Sequence, residues 1–149
     1  MKIALSLIVL LLLSIPTSAQ KDSGWRYLGE NAYFAYSYNP KRISRPSINI
    51  VKLWIQTYLR EGVTADKIVE DFKKRGLTAP EYKNFARAVR LYECNCKIDQ
   101  MRTIRIITYD SKNDVIDDLK TDQAEWEDIV PDSIAEIIFN TACSDKSKN

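Results

Sequence analysis

Three cysteines, Cys94, Cys96 and Cys143, carry most of the reactive chemistry available to this chain. Thiols can form a disulfide, hold a metal or act as nucleophiles, and the compartment does much to decide which. There is no histidine. Its absence removes Ser-His-Asp and Cys-His catalysis, histidine zinc sites and a histidine pH switch. Acid–base chemistry would have to come from carboxylates, Lys, Tyr or Cys. Paired acids are present: Glu125 and Glu127-Asp128 flank Trp126, and Asp117-Asp118 lie nearby. Glycoside hydrolysis needs two carboxylates facing each other across a cleft. Acids in a polar connecting segment are ordinarily solvated, so a carboxylate-based hydrolase ranks low. No catalytic, cofactor-binding or metal-ligating residue is assigned. Tyr36, Tyr38 and Trp54 could anchor a partner, because aromatics dominate many interfaces. Their strand spacing reads better as core-facing, and they are not assigned as a site.

The compartment follows from the first residues, MKIALSLIVLLLLSIPTSAQ. Lys2 is followed by a run of apolar and small residues over Ile3–Leu13, the break at Pro16 and the small residues Thr17-Ser18-Ala19. Charge, apolar core and small-residue site in that order define a secretory leader, expected here at 1–19 with cleavage after Ala19. A spanning helix needs about 20 apolar residues, and this run is shorter. No Cys lies near the cut, so lipid attachment is not expected. No later segment is apolar enough to span a bilayer. The expectation is an exported chain, periplasmic or at the cell surface.

Only Lys2 is lost with the leader. The 22 basic and 20 acidic residues of the whole chain become 21 and 20, a formal +1. That balance gives no footprint for nucleic acid. The small basic groups Lys41-Arg42-Arg45 and Lys73-Lys74-Arg75 read as solvated surface. What remains has the length of one domain, expected over 20–143, with a disordered polar tail at 144–149.

The elements that must position these residues alternate in period. Strands are expected at Trp25–Gly29, Tyr33–Tyr38 and, as one long strand, Ile48–Leu59. Thr64 can cap a helix with the apolar stripe Ile68, Val69 and Phe72, closed by Gly76. Phe85–Ile98 and Met101–Tyr109 read as a hairpin pair joined through Ile98–Met101. The turn cluster Asp110–Asp114 leads to a short strand at Val115-Ile116. Ser133 and Glu136 have capping-box spacing before a last helix with the stripe Ile134, Ile137 and Ile138. Strands, helix, strands, helix argues for an α+β fold: an antiparallel sheet with one internal helix and a C-terminal helix packed on it.

An exported chain favours a disulfide over a metal site. Strand neighbours at i and i+2 sit poorly for disulfide geometry, so the bond should join the strand to Cys143. Alternation puts Cys94 and Cys96 on one face, and spacing leaves the choice between them open. Closing a loop of about fifty residues is worth about 4 kcal/mol in the chain-entropy model. The third Cys is a buried thiol, an intermolecular bridge or a shuffling partner, with the buried thiol favoured.

Several fragments in order resemble the bacterial surface-adhesin protein E family. They are Trp25-Arg26-Tyr27-Leu28-Gly29, Tyr36-Ser37-Tyr38-Asn39, Ile50-Val51-Lys52-Leu53-Trp54 and Tyr92-Glu93-Cys94-Asn95-Cys96-Lys97, followed by Tyr109-Asp110 and Trp126-x-x-Ile129-x-Pro131-Asp132-Ser133 with Cys143. The resemblance covers about residues 25–143. It implies an antiparallel sheet with a C-terminal helix tethered by a disulfide, and often a dimer. Cys96 takes the place of the family's Cys before Lys, which implies a Cys96–Cys143 bond and leaves Cys94 as the free thiol. This chain departs from the pattern in carrying Cys94, in having Tyr38-Asn39 at the family's Tyr-Asp position, and in lacking a lipid-attachment Cys after the leader.

The function this implies is an exported, non-catalytic binding domain with no cofactor. Its partner would be a host extracellular or envelope protein, or a second copy of the chain. A periplasmic structural protein of the envelope is the alternative. A small-ligand carrier ranks with the hydrolase, below both.

Overall fold

The sharpest alternation in the chain, Ile-Val-Lys-Leu-Trp-Ile-Gln-Thr-Tyr-Leu at 50–59, forms the central strand of the sheet. Its odd-numbered residues Val51, Leu53, Ile55 and Thr57 are buried, and the even ones are partly exposed. A period of two puts alternate side chains on opposite faces, so this strand defines a closed face and an open one. A computed structural model describes residues 24–76, 85–121 and 123–144. The leader expected at 1–19 and the tail beyond Ser144 lie outside the described residues.

In chain order the strands are β1 (Arg26–Glu30), β2 (Phe34–Tyr38), β3 (Ser44–Ser47), β4 (Ile50–Leu59), β5 (Arg87–Asn95), β6 (Gln100–Tyr109), β7 (Val115–Lys120) and β8 (Glu127–Asp128). Helix α1 (Ala65–Lys74) falls between β4 and β5, and α2 (Ile134–Cys143) is last. All pairings are antiparallel and the main order is β1-β2-β4-β5-β6-β7. β3 continues the β2 edge of β4, and β8 pairs with the start of β6. The expected α+β architecture is therefore the observed one.

The elements differ from the sequence reading in several details, among them β5, which runs over Arg87–Asn95 and not over 85–98. The expected strand 48–59 begins at Ile50, because the turn at Ile48-Asn49 folds the short β3 back on it. A 3-10 turn at Pro40–Arg42, capped by Asn39, precedes β3. β7 runs on to Lys120, and β8 occupies part of the segment read as a connection. Neither follows from propensity: Asp117, Asp118, Glu127 and Asp128 are poor strand formers, and pairing with β6 overrides them.

α2 covers the closed face. Ser133 caps it by accepting from the Glu136 amide at 3.3 Å. Glu136 reaches back to the amide of Asp132, at 2.9 Å, rather than to that of Ser133. Asp132 has a φ of 57°, a left-handed geometry that Asp tolerates. Ile138, Phe139, Ala142 and Cys143 are buried against Tyr36, Val51, Leu53, Ile55 and Cys94. Ile137, expected in the stripe, is 43% exposed. The buried stripe is rotated toward Phe139 and Ala142, and Ile137 lies over β1, near Gly29. The last turn of α2 has no basic residue of its own. Arg45 of β3 supplies the cation, donating from Nη2 to the Ala142 carbonyl at 3.2 Å, where the helix dipole favours positive charge.

α1 follows the expected signals: Thr64 caps it by accepting from the Lys67 amide at 3.2 Å, and Ile68 is fully buried. Gly76, at a φ of +70°, takes the left-handed conformation that ends many helices. Around Tyr33, a hydroxyl that donates to Asp71 and ring contact with Phe72 join α1 to the start of β2.

The disulfide joins Cys96 to Cys143 with the Cα atoms 5.7 Å apart. Cys94 is a free thiol, fully buried among the core residues. Burial pushes its pKa up to about 12. The thiolate is the reactive form, so this sulfur is inert in the folded chain. Native protein at pH 8 is expected to leave Cys94 unlabelled by a thiol reagent and to label it fully in denaturant. Removing both bonded cysteines, Cys96→Ala with Cys143→Ala, should cost about 2–5 kcal/mol in urea unfolding. Arg45→Ala should cost less, about 0.5–2 kcal/mol.

Candidate binding face

The side of the sheet away from α2 is the open face. The register sets its residues in rows. Lys52 pairs with Glu93 and Trp54 with Leu91, Gln56 pairs with Val89, and Tyr58 pairs with Arg87. Across β5 and β6, Arg87 meets Tyr109, Val89 meets Ile107, Leu91 meets Arg105 and Glu93 meets Arg102. The face is therefore a mixture of aromatics, aliphatics and guanidinium groups.

One end is organised by Glu93, whose side chain is buried. It accepts from Arg102 Nε at 2.7 Å and pairs with Lys52 Nζ at 3.2 Å. Arg102 also lies over the Trp126 ring at 4.4 Å and donates to the Ala124 carbonyl at 3.3 Å. Desolvation raises the Glu93 pKa, but the bonds and charges of Arg102 and Lys52 outweigh it and hold the carboxyl below its ordinary value. This cluster ties β4, β5 and β6 to the segment before β8. Its function is structural clamping, since the one carboxylate is already paired.

The other end is a groove of about 520 Å³. Val89, Ile107 and Gln56 project from the interior strands, and the aromatic residues are Trp25, Trp54 and Tyr109. Arg42, Arg87 and Arg105 supply the charge, with no carboxylate in the lining among the described residues. Arg87 lies 3.7 Å over the Tyr109 ring and donates to Asn113 Oδ1 at 3.3 Å. Arg105 makes a two-point contact with Asp118, at 2.9 and 2.7 Å.

The residues singled out from sequence are distributed as follows. Tyr36 is buried on the closed face, with its hydroxyl accepting from Asn31 Nδ2 at 2.9 Å, and Tyr38 packs against the same core. Trp54, read as core-facing, is instead on the open face, because it alternates with Leu53 and Ile55. The acids flanking Trp126 and the Asp117-Asp118 pair are not brought together. Asp128 accepts from Gln100 at 2.9 Å near one end of β6, while Asp118 serves Arg105 nearer the other. Arg42 and Arg45, read as solvated surface, line the groove and cap α2, respectively. The groove had no sequence signal beyond alternation, since its residues come from five separate stretches of chain.

A model of the surface-adhesin protein E family matches residues 25–144. The chain belongs to that family. The match takes in every described strand and helix. Among solved structures, that of Haemophilus influenzae protein E aligns with 17% sequence identity and a TM-score of 0.48, covering 82% of this chain and 88% of that one. No curated protein matches the chain. In this adhesin E chain both the Cys96–Cys143 tether and the Glu93 cluster are fixed by residues inside the matched region.

The Glu93 cluster gives a pH prediction with a definite sign. A carboxyl held below its unfolded value contributes stability that is present above the ordinary carboxylate range and is lost as the pH falls through the lowered native value. Glu93→Gln should therefore destabilise the chain at pH 7 by about 1–3 kcal/mol. It should also make the fall in urea midpoint between pH 5 and pH 3 shallower than in the parent.

Proposed function

We propose that this adhesin E chain is an exported, non-catalytic binding domain that takes a protein partner along the β7 edge. The partner is a host extracellular protein, an envelope protein or a second copy of the chain. The observation that carries the reading is β7 itself. All six of its residues are exposed, including Val115 at 57%, Ile116 at 52% and Leu119 at 57%. Its outer side has no strand partner among the described residues. An open edge offers backbone groups to an added strand, and flanking side chains give selectivity. Asp117, Asp118 and Lys120 interrupt the apolar residues, a pattern that limits indiscriminate edge pairing.

Export rests on the leader at 1–19, and the domain that follows runs over 20–143. The absence of a cysteine beside the leader favours a second reading, a periplasmic structural protein not anchored by lipid. Protease treatment of intact cells separates the two, since only a surface-displayed chain is cut.

The exported protein should have an intact mass that begins at Gln20. It should bind immobilised extracellular-matrix or envelope protein, or form a dimer by light scattering. Ile116→Lys with Leu119→Lys should weaken that association about tenfold or more and leave the thermal midpoint nearly unchanged. Association that survives the double substitution would remove β7 from the proposal. A mass that retains residues 1–19 would remove export.

A further inference from the structure

We infer that the groove on the open face is a binding site for an anionic saccharide, one that carries sulfate or uronate groups. The inference is independent of the β7 edge. Three guanidinium groups line one cavity whose walls, among the described residues, contain no carboxylate. One of the three is neutralised, because Asp118 holds Arg105 in a fixed two-point contact. Among the described residues, the partners of the Arg87 side chain are a ring and a neutral amide. The Arg42 side chain has no hydrogen-bond or ion-pair partner among the described residues. The cavity therefore presents positive charge in excess, and guanidinium matches the geometry of carboxylate and sulfate oxygens.

The walls choose the rest of the ligand. Trp25, Trp54 and Tyr109 offer flat apolar surfaces, and Gln56 offers an amide that can both donate and accept. A saccharide ring has apolar C–H faces for the former and hydroxyls for the latter. An acidic peptide fits less well. The groove lies over β4, β5 and β6, interior strands whose backbones are paired on both sides through much of its length. A peptide laid there finds no backbone ladder to join, which is the usual source of its affinity. The volume of about 520 Å³ suits a short oligosaccharide segment.

The test is a titration of the mature, disulfide-bonded chain, followed by tryptophan fluorescence, with four probes of similar length. These are a sulfated oligosaccharide, an unsulfated uronate oligosaccharide, a neutral oligosaccharide and a glutamate-rich peptide. Saturable binding of the sulfated or the uronate probe is expected, and which one binds identifies the anion recognised. The neutral probe should bind at least about tenfold more weakly. Arg42→Gln and Arg42→Glu should weaken binding by about tenfold and by more than that, respectively, with the thermal midpoint unchanged because the side chain is exposed. Added salt should weaken binding in the parent. Absence of binding by both anionic saccharides, equal binding of the neutral probe or the peptide, or unchanged affinity in both Arg42 variants would overturn the inference. None of these outcomes bears on the β7 edge, which is read out by protein association.

Discussion

Val51, Leu53, Ile55 and Cys94 line one face of a ribbon of two long strands, and the ten residues of α2 must cover them. A helix this short is marginal by itself in water, and most of its stability comes from packing. The structure fixes it at both ends. Ser133 satisfies an amide at the start, while Arg45 and the Cys96–Cys143 bond hold the finish. The bond connects α2 to the point where β5 ends, so helix and sheet cannot separate without leaving a covalent loop. The placement of the core, the burial of Cys94 and the division of the sheet into two faces follow from this docking.

Once one face is closed, the other is committed to solvent. Alternation sends Lys52, Trp54, Gln56 and Tyr58 there, and antiparallel pairing sets Arg87, Arg102, Arg105 and Tyr109 beside them. The charges on this face divide by environment. Where Glu93 is buried, Lys52 and Arg102 are used to hold it, because a buried carboxylate without partners is costly. At the groove end, Arg42 and Arg87 have no carboxylate partner among the described residues, which leaves their charge available to a ligand.

Membership of the surface-adhesin protein E family rests on the match across the described domain. The acids that suggested a hydrolase are separated along β6, with Asp118 committed to Arg105 and Asp128 bonded to Gln100. Two surfaces remain for recognition: an exposed edge suited to protein and a basic aromatic groove suited to an anionic saccharide.

Local information was legible in the chain alone. Thr64, Gly76, Ser133 and Glu136 marked helix ends because caps act within a few residues, and the alternation of 50–59 marked the central strand because a period of two is local. The α+β class followed from the order of those signals. Long-range pairing decided the rest. Alternation placed Cys94 and Cys96 on one face and left the choice open; the family resemblance implied Cys96, and the docking of α2 brings that sulfur to Cys143. Trp54 read as core because aromatic strand residues often are, and the side chosen by α2 reversed it. β7 beyond Ile116 and all of β8 are strands only because β6 lies beside them. Arg42 and Arg45 looked alike in sequence, yet one lines a groove and the other caps a helix 97 positions away in the chain. Periodicity and capping are properties of neighbouring residues, whereas faces, partners and grooves depend on which distant segments the fold brings together.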